Sequence, residues 1–283
     1  MATAEVKLFF DSTSTKSGYA ANRIQAALMA YTDALAEDRL RERGLAFSDL
    51  RTISVVRVDT APKAAQGAGI LPSLLPYLIL IYIFAGSMNI GLDATAGEKE
   101  RGSLASILVN QVSRTSIAVG KIMYVATAAL MNAVASFAGI IIAFRIGGPA
   151  APGNLSASLA VFSAAGVLGL LITLLALSAL AASVIVLLGC YSKTMREGGA
   201  YVLPVYLVVL VVGVASSQMD PSRNLALFLV PLVNSVFVLK EILLAQPNLS
   251  HLAVSVGINV IAAAVLVRLI AGLYNGERIL DTV

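Results

Sequence analysis

Charge is scarce in this 283-residue sequence. Asp, Glu, Lys and Arg make up 13% of it, about half the share of an ordinary soluble domain, while 58% is hydrophobic. That balance argues against a soluble globule. Cysteine and histidine occur once each, as Cys190 and His251. One chain therefore cannot build a disulfide, a Cys/His zinc site or a thioredoxin-like pair, and catalysis resting on a His/Cys cluster is excluded. The net charge of +4 is small and dispersed, and no basic run with interleaved aromatics points to nucleic acid. No Gly-x-x-x-x-Gly-Lys-Ser/Thr run occurs either. Gly120-Lys121 lacks both the upstream glycine and the following hydroxyl residue, so no phosphate-cradling loop is available. The chain is expected to have no ATPase motif, no metal and no cofactor of its own.

The scarcity has a location. Of 20 basic and 16 acidic residues, 9 and 8 precede residue 70, leaving 11 and 8 for the remaining 214 positions. Residues 1–69 and 70–283 are therefore read as separate domains. In the second, four stretches are long and apolar enough to cross a hydrocarbon core of about 30 Å, which takes roughly 20 residues. They are 70–90, 117–144, 159–190 and 252–273, and none contains Asp or Glu. A fifth, 200–217, is near the minimum length and carries Pro204, which a spanning helix tolerates when neighbours satisfy the freed carbonyl. The 159–190 stretch would be about 48 Å long at 1.5 Å per residue, so it must tilt, project or break near Gly166 and Gly169. Pro231 and Asn234 divide the apolar run in 224–247 into pieces too short to span. A re-entrant or interfacial pair is expected there, with Lys240 and Glu241 at the surface.

Five spans put the termini on opposite sides. Lys99, Arg101, Arg114, Lys121, Lys193, Arg196 and Arg278 fall on one side, and Arg145, Arg223 and Lys240 on the other. The positive-inside bias then predicts a cytoplasmic C-terminus and an extracytoplasmic 1–69; the inverse topology would translocate the most basic loop. Arg268 is close enough to the end of its span to snorkel to the cytoplasmic interface. His251, alone at the external start of the last span, reads as a surface histidine, and Cys190 as a small apolar packing residue. Residues 1–69 read as a strand at 6–10, a helix at 17–43 capped by Gly44, and a strand at 53–58. The helix is expected to turn Ile24, Leu28, Tyr31 and Leu35 to one face. One such unit is too little to bury both faces of a sheet, and no basic and then apolar leader precedes it. An upstream spanning helix and the start of an extracytoplasmic domain are therefore expected. The fold class is mainly α: a polytopic helical membrane protein with a small α/β segment at its N-terminus.

The loop at 93–108 carries the densest charge in the membrane half. It is charged at its start and apolar at Leu104, Ile107 and Leu108, which share a helical face, so an amphipathic helix at about 97–108 is expected across the ends of two spans. Its bland reading is a solvated loop with an interfacial helix. Polar groups inside spans are few. Asn132 and Ser136 share a face of the second span and Asn259 lies in the last; such stripes join helices more often than they line a pathway. With no carboxylate at membrane depth, ion-coupled secondary transport is the weaker mechanism.

Gly91-Leu-Asp93, Gly97-Glu-Lys-Glu-Arg-Gly-Ser-Leu104, Val112-Ser-Arg114 and Gly120-Lys121 together resemble the signature of ABC-2-type permeases, particularly the NatB-like membrane subunits of sodium-exporting ABC transporters. Ser103 stands where that pattern has Thr, and Ala105 and Gln111 where it has Glu and Pro. The resemblance extends over the whole chain. It implies a six-span family whose large external domain follows the first span, a second permease copy, and a separate cytoplasmic ATPase that binds ATP. It further implies that the 97–108 helix docks on that ATPase. Glu98, Lys99, Glu100 and Arg101 would position it by charge, and Leu104, Ile107 and Leu108 would supply apolar contact. Asp93, a family position, would pair with Lys121 or Arg114 or simply end its span in solvent. Lys193, Arg196 and Glu197 offer a second ATPase contact, or an ordinary positive-inside loop. Asn132, Ser136 and Asn259 are the pathway candidates. Sodium is the family-level substrate, with drugs, peptides or lipids as alternatives. Two other classes stay open: a transporter or channel driven by an ion gradient, and a membrane anchor for an extracytoplasmic sensor.

Overall fold

The computed structural model describes residues 4–11, 14–43, 53–59, 71–104, 112–146, 164–219, 225–244 and 246–275. The first unit is β1 (Ala4–Phe10), α1 (Thr15–Arg43) and β2 (Ile53–Asp59). β1 and β2 pair in parallel, Val6 opposite Val55 and Leu8 opposite Arg57. Parallel neighbours need a crossover, which α1 supplies. Exposure alternates along β1, with Val6, Leu8 and Phe10 half-buried and Lys7 and Phe9 exposed. In α1 the inner face runs through Ala21, Gln25, Leu28, Thr32 and Leu35. Ile24 and Tyr31, expected on that face, are instead 47% and 60% exposed. At about 100° per residue they sit some 60–80° round the helix from Ala21, on the flank rather than under the sheet. Gly44 and the domain boundary near residue 70 lie outside the described residues.

Among the described residues, five helices are long and apolar enough to cross a membrane. They are α2 (Leu71–Leu92), α3 (Arg114–Ile146), α4 (Ala164–Tyr191), α5 (Met195–Gln218) and α7 (Leu249–Asn275), with a short α6 (Val233–Leu243) before the last. α4 is the central one. Its apolar stretch is 67% buried, against 22% for α5 and for α7. Leu174, Leu177 and Ile185 of α4 pack with Ile79, Ile83 and Phe84 of α2, Val202 and Val209 of α5, and Val236 and Phe237 of α6. The outer faces stay apolar where they are exposed, as at Leu207 and Val211 of α5 and Ile261 and Val265 of α7. Such faces suit a lipid solvent and would be costly in water. Arg268 is exposed on α7. α4 runs unbroken past Gly166 and Gly169; Gly169 is buried, where the absence of a side chain eases packing instead of opening a break.

The split region between α5 and α7 is a 3-10 turn, Leu225–Leu229, followed by α6. Leu232 joins them at φ 71, ψ −53, the geometry of the rare and strained γ-turn. α6 is too short to span, and from Val233 to Lys240 every residue is buried. Lys240 was expected at the surface, yet it is 7% exposed and donates to the carbonyls of Ser217 and Met219 at 3.3 and 3.0 Å. Those are end carbonyls of α5, orphaned by the end of the helix and attractive to a cation. Glu241 and His251, also expected at the surface, pair with each other at 2.7 Å with side-chain exposures of 13% and 21%. Packing of α6 against α7 covers both.

Candidate functional site

The helix of α2 does not stop at the predicted end of its span. It widens into one turn of π-helix, Asp93–Gly97, and tightens again at Glu98–Glu100. A wide turn disturbs the i to i−4 ladder, and the Thr95 hydroxyl donates to the Gly91 carbonyl at 2.6 Å. Gly189 of α4 is what lets this turn lie against its neighbour. A Cβ there would sit 1.9 Å from Thr95 Oγ1. The turn at Arg101–Gly102, with Gly102 at φ 71, then ends the extended helix.

Of the amphipathic helix expected at 97–108, residues 105–108 lie outside the described residues, and the described part runs on from α2 as far as the Arg101–Gly102 turn. Glu98, Lys99 and Glu100 belong to the end of the first span, because its helix continues without a break through the wide turn. Leu104, expected to face a partner, is 5% exposed and packs with Ala94, Ile117 and Ala118. Ile107 and Leu108 lie outside the described residues.

Consecutive helical side chains point about 100° apart, so three neighbouring charges reach three different helices. Glu98 accepts from Lys121 of α3, whose ammonium also donates to the Ala94 carbonyl. Lys99 donates to the carbonyls of Cys190 and Ser192, the latter at 3.2 Å, at the C-terminal end of α4. Glu100 Oε2 accepts from the Met195 N–H at 3.0 Å, at the start of α5. Cation on a helix C-terminus and anion on an N-terminus are the favourable signs. Arg101 turns back to Asp93 at 2.8 Å across the wide turn, with both side chains more than half exposed. Asp93 thus pairs with Arg101, where Lys121 or Arg114 had been expected; Lys121 is too deeply buried beside Glu98 to reach it. α7 joins the same end through Tyr274, whose hydroxyl receives the Cys190 thiol at 3.4 Å. Arg114 is half-buried at the start of α3.

In the second short loop, Thr194 and Glu197 form a capping box on α5. The Glu197 N–H donates to Thr194 Oγ1 at 3.2 Å, and Glu197 Oε2 accepts from the Lys193 N–H at 2.7 Å. Glu197 also accepts from the Tyr201 hydroxyl at 2.6 Å. Lys193 and Arg196 are exposed.

The pathway candidates are not brought together. Asn132 donates to the Tyr82 carbonyl of α2 at 2.6 Å, and Ser136 lies half-buried one turn further along α3. Asn259 donates to Ser235 of α6 at 2.7 Å, and Ser235 to Asn234 at 3.1 Å. Asn234, Ser235, Ser255 and Asn259 are fully buried, while Asn234 Nδ2, Ser255 Oγ and Asn259 Oδ1 have no hydrogen-bond partner. Ser235 and Ser255 carried no weight in the sequence. The i, i+4 spacing of Ser255 and Asn259 was their one visible signal.

Known proteins give this arrangement a context. A family described as ABC-2 family transporter protein matches residues 1–271. The ABC transporter permease protein NatB of Bacillus subtilis (strain 168) is 27% identical over 259 residues, covering 86% of this chain. The chain spans 63% of the length of that relative. No solved structure matches. With a family match over residues 1–271, and five helices among the described residues long and apolar enough to cross a membrane, the chain belongs to the ABC-2 family of transporter proteins.

Proposed function

We propose that this chain is the permease subunit of an ATP-driven exporter and that Glu98, Lys99 and Glu100 form the brace through which a partner's motion enters the membrane. One observation carries the coupling reading: three consecutive charges at the end of α2 engage α3, the end of α4 and the start of α5. A push on such an element is shared by four helices at once, which suits a rigid-body switch. The chain's role is non-enzymatic. ATP is bound and hydrolysed by a separate cytoplasmic ABC ATPase, and a second permease copy completes the membrane part. The brace lies on the cytoplasmic side, which makes residues 1–69 extracytoplasmic and the C-terminus cytoplasmic. Docking falls to the exposed groups around the brace, Arg101, Lys193 and Arg196, with 105–111 beside them in sequence. Sodium is the proposed cargo on family resemblance alone, and the polar group around Asn259 is the proposed point of contact at membrane depth.

The test is reconstitution with a candidate ABC ATPase, sought first in the adjacent genes. Glu100→Gln keeps the side-chain shape but weakens the hold on Met195. It should leave the ATPase bound and lower ATP-driven efflux at least several-fold. Wild-type efflux in this variant would remove the coupling role, and efflux driven by an ion gradient without ATP would replace the exporter reading.

A further inference from the structure

The apolar length of α7, Leu249–Tyr274, contains a single Asp, Glu, Lys or Arg residue, which is Arg268. Charges inside spans almost always face the bundle interior and find a partner there. Arg268 does neither. Ile270, Ala271 and Tyr274 turn inward, while Arg268 is exposed between Val265 and Leu269, themselves 51% and 53% exposed. Among the described residues its guanidinium has no hydrogen-bond or ion-pair partner. The brace sets its depth. Cys190 at the end of α4 receives Lys99 on its carbonyl and gives its thiol to Tyr274, which puts Lys99 and Tyr274 at about one level. Arg268 is six positions before Tyr274, roughly 9 Å along the helix, and Asp93 is six before Lys99. Arg268 therefore lies near the level of the exposed Asp93–Arg101 pair, at the boundary of the hydrocarbon and not at its centre. Helical side chains lean toward the N-terminus, so a guanidinium bound for the headgroup level has to double back over the next turn. Gly272 occupies that turn, about 40° round the helix. It is exposed, and a Cβ there would meet nothing within 4 Å, so the route is clear.

We propose that Arg268 is the binding site of an anionic phospholipid, with the lipid phosphate on its guanidinium, over Gly272, and the acyl chains along Ile261 and Val265. Charge complementarity selects the ligand. A guanidinium forks onto two phosphate oxygens at once, in charge-assisted hydrogen bonds. In a zwitterionic lipid the headgroup's own ammonium already offsets the phosphate, whereas an anionic lipid brings a net charge to an arginine that has no other counter-ion among the described residues. Position selects the chains, because Ile261 and Val265 are exposed on the same side of α7, one and two turns deeper than Arg268. The site needs α7 in a bilayer but neither an ATPase nor one direction of insertion, so it is independent of the exporter reading.

The experiment is native mass spectrometry of the full chain, titrated in detergent with phosphatidylglycerol or with phosphatidylcholine of the same acyl chains. The wild type should bind its first phosphatidylglycerol at least fivefold more tightly than phosphatidylcholine. Arg268→Gln should abolish that preference, and Arg268→Lys, which keeps the charge, should retain much of it. Gly272→Leu leaves every charge in place but obstructs the route, and should weaken phosphatidylglycerol at least threefold. Lys16→Gln removes the same charge from an exposed position of α1 and should change nothing. Absence of a preference in the wild type, its survival in Arg268→Gln, full affinity in Gly272→Leu, or an equal loss in Lys16→Gln would overturn the proposal. A dimer mass lost in Arg268→Gln with lipid adducts unchanged would give the guanidinium to a second copy of the chain and overturn it as well. Should Arg268→Gln fail to fold, Gly272→Leu and Lys16→Gln carry the same comparison.

Discussion

Lys121 lies near the start of α3 with its ammonium between the Ala94 carbonyl and the Glu98 carboxylate, and its side chain is 9% exposed. Removing one member of a buried pair leaves an uncompensated charge, at a cost of about 3–5 kcal/mol. Lys121→Met should therefore lower the unfolding temperature sharply, and Glu98→Gln added to it should recover much of the loss. A double variant no more stable than the single would show that the pair is not the source of the effect. Glu241 makes the pH-dependent prediction. Burial, offset in part by the His251 hydrogen bond, raises its carboxyl above the ordinary carboxylate range. The folded chain keeps that proton where the unfolded chain has released it. The resulting stability is complete below the unfolded value, near 4.3, and is lost as pH rises through the folded one. Glu241→Gln should flatten the pH dependence of unfolding temperature above about pH 4; an unchanged slope would remove Glu241 from the account. The charge of these residues was legible in the sequence, and their partners were not, because Lys121 lies 23 positions from Glu98 and Cys190 lies 91 from Lys99.

The wide turn Asp93–Gly97 shows how an element can be specified by a neighbour. Hydropathy ends the first span near residue 90, since charge begins at Asp93. The helix continues to Glu100 because its last turns are bonded to α3, α4 and α5. Close approach of α2 to α4 rests on Gly189, where a Cβ would stand 1.9 Å from Thr95 Oγ1 and 2.9 Å from Thr95 Cβ. Gly189→Ala should destabilise by about 1–3 kcal/mol, the usual cost of overpacking, and Thr95→Ala should relieve it only in part because the Cβ contact remains. Full tolerance of Gly189→Ala would mean that the two helices separate freely. α6 makes the complementary point. Its apolar residues are too few to span, so local hydropathy left it at an interface; contacts with α2, α4, α5 and α7 bury it instead.

For the whole molecule, exposed and engaged charges at the brace should separate by phenotype. Lys193 and Arg196 are exposed, so reversing both to Glu should change stability by only about 0.5 kcal/mol while reducing recovery of the ATPase in co-purification. Undiminished recovery would move the docking surface elsewhere. Glu98 and Lys121 should behave in the opposite sense, because they act on the fold first. The bundle's asymmetry supports this division. α4 is surrounded, whereas α5 and α7 show apolar faces that only lipid or another apolar surface suits.

Sequence alone determined that the chain crosses a membrane, where its five spanning helices lie, and that a strand-helix-strand unit precedes them. These follow from hydropathy and periodicity, which are sums over neighbours in the chain. Tertiary structure decided which face of α1 is inner, that Lys240, Glu241 and His251 are covered, and that Glu98, Lys99 and Glu100 each address a different helix. A buried charge is tolerated only beside its partner. That partner stands on another helix, where local pattern has no reach.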